Sequence, residues 1–136
     1  MLAKCKILNI STDPVLMSFL QRELNDEDYE TVNTRHTKDR LKDIIELEGP
    51  DFIILDIMMP ALDGIGICLQ LRQWTHVPIL MLTTWGTSDG KVRGLNLGSD
   101  DYLTEPFGIG ALKEKIELTL KRKITATGNR LSNPGK

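Results

Sequence analysis

Cysteine is scarce in this chain: Cys5 and Cys68 are the only two, which excludes a disulfide framework and the short ligand spacings of a metal site. No apolar run approaches the ~20 residues of a membrane span. The opening residues, MLAKCKIL, lack the apolar stretch and cleavage site of a signal peptide. Neither sign of charge dominates, since 17 Lys and Arg stand against 19 Asp and Glu for a net charge of -2. A nucleic-acid contact by this domain would need a basic face, and none is written here. The absences together predict a cytoplasmic protein with no membrane association. What is present is ordinary: 40% hydrophobic and 26% charged residues over 136 positions suit one domain around one core.

Along the chain, short apolar runs alternate with helical periodicities. Lys6–Ile10 reads as a strand. Asp13-Pro14 then gives an N-cap side chain followed by proline at the first helical position. Leu16, Phe19, Leu20 and Leu24 form the buried stripe of that helix. Tyr29–Thr34 is a strand of mixed polarity, expected near a sheet edge. Leu41, Ile44 and Ile45 mark a second helix that stops at Gly49-Pro50. Phe52–Leu55 is apolar at every position, as a central parallel strand covered on both faces must be. Pro60 and the Asp63-Gly64 pair are read as punctuating the loop after it.

Ile65, Cys68 and Leu71 give the third helix its inner face, and Val77–Leu82 is a further fully apolar strand. Val92 and Leu95 mark a short helix ending near Gly98, and Tyr102–Leu103 a brief fifth strand. Leu112, Ile116 and Leu120 line the last helix. Lys121, Arg122 and Lys123 read as its C-terminus, where cations suit the helix dipole. Residues 124–136 lack periodicity and read as a linker or disordered tail, leaving 1–123 as the domain. Neither repeats nor low-complexity blocks occur.

Five βα units predict an α/β fold: a five-stranded parallel sheet with right-handed crossovers and helices on both faces. Such sheets place their working site beyond the carboxyl ends of the strands. The polar residues falling there are Ser11, Thr12, Asp13, Asp56, Thr83, Thr84 and Glu105. Asp56 stands out because it closes an apolar strand, where a desolvated carboxylate can act as a nucleophile, ligate a cation or simply cap a loop. Cys68 and Cys5 read as packing residues. His36 and His76 fall in separate loops and read as neither ligands nor bases. No nucleophile–base pair, cofactor loop or metal cluster marks an enzyme.

The segments FIILDIMMPALDGIGIC, VPILMLTT and KVRGLNLGSDDYLTEPF resemble the receiver domain of two-component response regulators, in the style of the OmpR/PhoB-type subgroup. The resemblance runs from about Lys6 to Lys123. It implies a CheY-like, flavodoxin-like (βα)5 doubly wound fold in which a histidine kinase phosphorylates an aspartate. Asp56 stands at the phospho-acceptor position, and Thr83 at that of a hydroxyl that contacts the phosphoryl group. Tyr102 stands where a switch aromatic reorients, and the Met58 carbonyl where the backbone ligates magnesium. The Lys91–Lys123 surface corresponds to a face used for homodimerisation or for docking another signalling protein.

The sequence also departs from the family pattern. Ser11 and Thr12 occupy the places of two metal-holding acids, and Asp13, one residue later, reads first as an N-cap and second as a weak magnesium ligand beside Asp56 and the Met58 carbonyl. Glu105 replaces the lysine that pairs with the phosphoryl group. Two unit charges ~4 Å apart interact by roughly 1–4 kcal/mol between the dielectrics of water and a protein surface, so this reversal works against a phosphorylated state. Asp56 and Glu105 either share a cation or repel each other, and repulsion is the reading favoured here. Thr84 stands where a very small residue is usual, and Met58 and Trp85 flank the path of hydrolytic water. Asp101 and Lys115 match one intersubunit ion pair of the subgroup, whereas Ala111 removes another.

Two functions follow as expectations. The first is an atypical receiver with weak or absent magnesium binding and impaired phosphorylation, acting through protein–protein contacts. The alternative is a conventional phospho-acceptor at Asp56 that controls transcription through an output domain. A module binding a small molecule or ion at the switch point is a third reading, from a different class.

Overall fold

The computed structural model describes residues 4–26, 28–35, 39–56, 61–83, 99–104 and 106–131, with the side chains of 39, 61–65 and 123–131 excepted. Five strands form one sheet: β1 (Cys5–Ile10), β2 (Tyr29–Thr34), β3 (Phe52–Asp56), β4 (Ile79–Thr83) and β5 (Asp101–Thr104). Their order is β2-β1-β3-β4-β5, and every pairing is parallel. β2 is therefore an edge strand, in keeping with its mixed polarity. The chain steps from β1 outward to β2, then returns to place β3 on the other side of β1. This reversal opens a crevice between the carboxyl ends of β1 and β3.

Helices cover both faces because the strands are apolar on both. α1 (Pro14–Leu24) and α4 (Ile109–Leu131) lie on one side, α2 (Asp39–Glu48) and α3 (Ala61–Trp74) on the other. Ile7, Phe52, Ile54, Leu80 and Leu82 pack against Leu16, Leu20 and Leu24 of α1 and Leu112 and Ile116 of α4. On the opposite face Leu8, Ile10, Ile53, Leu55, Ile79 and Met81 meet Leu41, Ile45, Ile67, Cys68 and Leu71. The alternation along β1 and β3 divides the core between the two layers.

The expected stops are present. Asp13 caps α1, its carboxylate accepting the N–H of Val15 at 2.9 Å, with proline in the first turn. Gly49 ends α2 at a φ of 55°, where a side chain would be strained, and donates to the Ile45 carbonyl at 2.9 Å.

Two expectations need correction. Asp63 and Gly64 do not lie in a loop, because α3 already begins at Ala61. A helix's first turn, with its unpaired N–H groups, accepts the turn-like residue types that suggested a loop. The basic cluster at Lys121–Lys123 is not a helix end either, since α4 continues to Leu131 through residues read as tail. Extending a formed helix adds one hydrogen bond per residue fixed, so it needs no apolar stripe of its own. The helix expected around Val92 and Leu95 lies outside the described residues.

Candidate functional site

At the carboxyl edge of the sheet, four hydroxyl residues flank one carboxylate. Thr34 ends β2, Ser11 follows β1, Asp56 ends β3, Thr83 ends β4 and Thr104 ends β5. Asp56 is 2% exposed, more deeply buried than an acid at a strand end is expected to be, and Ser11 is 1% exposed. A carboxylate removed from water in this way requires hydrogen bonds in return.

Ser11 supplies one of them. Its hydroxyl donates to Asp56 Oδ2 at 2.6 Å, the short distance typical of an O–H bond to a carboxylate. The same oxygen accepts the N–H of Asp13 at 2.9 Å, while the Asp13 carboxylate holds the N–H of Val15. Ser11 N in turn donates to the Thr34 carbonyl at 3.2 Å, so the serine is fixed to both neighbouring strands. The sequence places Ser11 at this edge, and the register confirms it, one step beyond the pairing of Ile10 with Leu55 and beside Asp56; its bond to Asp56 is what the sequence does not reveal.

Thr83 is fully buried and follows Leu82, the residue whose Cα pairs with Asp56. It therefore adjoins the acid across β3 and β4. Tyr102 lies one strand further out and is half-buried, with Lys115 Nζ 5.9 Å from its ring centroid. Lys115 also bonds Asp101 at 3.2 Å, and Arg122 reaches the other oxygen of that carboxylate at 2.6 Å. The Asp101–Lys115 pair is thus intrachain, and an intersubunit bond between these residues would require it to open. Burial pushes the Asp101 carboxyl up, but the Tyr102 N–H, Arg122 and Lys115 outweigh burial and hold it below the usual carboxylate value. Glu105, Met58, Thr84, Trp85 and Lys91 lie outside the described residues.

The donor set can be tested against magnesium, the ion the family resemblance implies. Among the described residues no group of three or more His, Cys, Asp or Glu side chains is placed to hold a metal. Among the described residues Asp56 is the one carboxylate that ends a strand, its Oδ2 accepts the Ser11 hydroxyl, and Asp13 is engaged as a cap. A hard, reluctantly dehydrated cation is poorly served by neutral hydroxyls in place of carboxylates. The described donors fit it weakly.

No helix among the described residues is long and apolar enough to cross a membrane. A family model for the response regulator receiver domain matches residues 7–117. The alkaline phosphatase synthesis transcriptional regulatory protein PhoP of Bacillus subtilis is 38% identical over 130 residues, covering 94% of this chain and 54% of PhoP. The chain spans about half the length of the curated relatives it matches. Among solved structures, the BeF3-activated N-terminal receiver domain of Klebsiella pneumoniae RstA superposes with a TM-score of 0.76 at 30% identity, covering 85% of this chain and 97% of that one. The receiver domain of TorR, the TMAO respiratory system response regulator, gives 0.77 at 28% identity, with 86% and 97% covered. The fold, the switch-point carboxylate and these likenesses agree: the chain belongs to the response regulator receiver domain family of two-component signalling, with relatives of the OmpR/PhoB type.

Proposed function

We propose that this receiver domain is an atypical member whose Asp56 accepts a phosphoryl group weakly, and that it signals mainly by protein–protein contact in the cytoplasm. The observation that carries the reading is the Ser11–Asp56 bond, a neutral hydroxyl where the family pattern calls for an acid. With Glu105 in place of the usual lysine, a phosphorylated Asp56 gains a negative neighbour instead of a positive one. Reversing one such pair shifts the balance by several kcal/mol, taking roughly 1–4 kcal/mol for each sign. Magnesium binding is correspondingly weak. The partners are a histidine kinase or another signalling protein. The Lys91–Lys123 face serves docking or a homodimer, and the domain itself contacts no nucleic acid.

Likeness to a transcriptional regulator supports a second reading, a conventional acceptor driving an output domain. In that case an Asp56 oxygen forms a P–O bond as the P–N bond of a phosphohistidine breaks, and the electron pair leaves with the imidazole nitrogen. Tyr102 and Thr83 then relay the change. One experiment separates the two. The chain is incubated with magnesium and a small phosphoryl donor, and separately with beryllofluoride, while intact mass and tryptophan fluorescence are followed. Little or no Asp56-dependent adduct is expected. Rapid, stoichiometric adduct formation that Asp56→Asn abolishes would overturn the atypical reading in favour of the conventional one.

A further inference from the structure

We propose that Ser11 is a positioning residue for Asp56 and that its hydroxyl couples the state of that carboxylate to the N-terminus of α1. The inference deepens the reading of Asp56 as the signalling acid and rests on it.

A serine hydroxyl has one proton. Here that proton is committed to Asp56 Oδ2 at 2.6 Å, and the oxygen's lone pair takes the Asp13 N–H at 2.9 Å. The two bonds share one oxygen, so each polarises the other, and the burial of Ser11 and Asp56 strengthens the first. Asp13 is the N-cap of α1, and its carboxylate receives the Val15 N–H. A continuous path therefore runs from the Asp56 carboxylate through Ser11 and Asp13 into the first turn of α1.

The helix has a second anchor on the sheet. Asn9, two residues before Ser11, donates to Asn33 Oδ1 at 2.8 Å, and Asn33 donates to the Met17 carbonyl at 3.2 Å. That anchor bypasses Asp56. A change at Asp56 should therefore reach Asp13 and Val15 without releasing the helix at Met17. Any event that removes charge from Asp56 Oδ2 weakens the bond that orients the Ser11 hydroxyl and loosens the cap by the same step.

The test uses amide NMR and hydrogen exchange on the full chain. Ser11→Ala and Asp56→Ala are each expected to shift the Asp13 and Val15 amides and to speed their exchange roughly tenfold, the scale of one lost bond to a charged group. The double variant is expected to exchange no faster than Ser11→Ala alone. Ser11→Thr, which keeps a hydroxyl, should restore the wild-type pattern, and Asp56→Asn should fall between wild type and Asp56→Ala. If Ser11→Ala does not fold, Ser11→Cys removes most of the donor strength at similar size. Additive effects, or unchanged Asp13 and Val15 amides in Asp56→Ala, overturn the coupling. A beryllofluoride arm on the wild-type chain reports separately on Asp56 as acceptor, so failure there leaves the substitution cycle readable.

Discussion

The Arg72 guanidinium reaches from α3 to the Asp100 carboxylate, and the same Asp100 oxygen also accepts the backbone N–H of Ile79 at 2.7 Å. Arg72 further donates to the carbonyls of Thr75 and Val77, at 3.3 and 2.7 Å, and Asp100 N returns a bond to the Ile79 carbonyl at 2.9 Å. One cation thus fastens the entries of β4 and β5, the strands that carry Thr83 and Tyr102. Arg72→Ala removes the cation facing a half-buried carboxylate and the donors to two carbonyls. It is expected to cost about 2–3 kcal/mol, the upper range for hydrogen bonds to charged groups. Arg72→Lys should recover little, because an ammonium cannot reproduce the planar fork. Urea unfolding midpoints measure both, and a loss for Arg72→Ala within about 0.5 kcal/mol of zero would reduce the pair to surface decoration.

Asp101 carries a pH prediction. Its folded carboxyl titrates below the ordinary unfolded value of about 3.9, since three donors outweigh the effect of burial. A depressed acid contributes stability that is fully present above the unfolded value and is lost as pH falls through the folded one. Asp101→Asn should therefore be less stable than wild type at neutral pH and should flatten the loss of stability below about pH 4. Urea unfolding at a series of pH values, with a carbon NMR titration of the carboxyl, provides the check. Titration of Asp101 at or above the ordinary value would contradict the argument.

The architecture was legible wherever chemistry is local. β3 and β4 announce themselves as apolar runs because both faces are covered, and Asp13 announces the start of α1 because a cap is a contact within two residues. The row of strand ends also followed from topology, which brought Asp56, Thr83 and Ser11 to one edge. What the Ser11 hydroxyl does there was not legible. Its bond to Asp56 joins residues 45 positions apart and depends on rotamers and strand register that no local pattern encodes. The start of α3 was misjudged because Asp63 and Gly64 suit a helix's first turn as well as a loop. The extent of α4 was misjudged because propagation of a formed helix leaves no apolar signature. Arg72 and Asp100 drew no notice for the same reason as Ser11, as charged residues on different elements whose pairing only the fold creates.

Cys5 should be chemically quiet. Desolvation, with the Asp51 charge nearby, pushes its thiol up to about 11 from an ordinary 9.0, and the Cys68 thiol is raised too, chiefly by burial. Thiolate is the reactive form, so at pH 7.5 both thiols should react with a disulfide reagent far more slowly in the native chain than in the unfolded one. Because the folded Cys5 value lies above the ordinary 9.0, its contribution to stability is intact below that pH and declines as pH rises toward about 11. Cys5→Ala should soften that alkaline decline. A native Cys5 labelled as fast as an unfolded one would refute the assignment.

If the pocket is weakened by its departures from the family pattern, reinstating the pattern should strengthen it. The variant combining Ser11→Asp, Thr12→Asp and Glu105→Lys restores the two acids and the lysine of the family pattern. Without magnesium, the added acids crowd a carboxylate that is 2% exposed in the parent chain, so the apo variant should be less stable. With magnesium the same acids become ligands, and a ligand that binds only the folded state stabilises it by RT ln(1 + [L]/Kd), about 2.7 kcal/mol at a hundredfold excess over Kd. The melting temperature of the variant should therefore rise with millimolar magnesium, while that of the parent chain barely moves. Adduct formation with beryllofluoride should improve at least tenfold, since each charge contact at ~4 Å contributes roughly 1–4 kcal/mol and 1.4 kcal/mol is a factor of ten. A parent chain already stabilised by magnesium as strongly as the variant would show that Ser11, Thr12 and Glu105 never weakened the site.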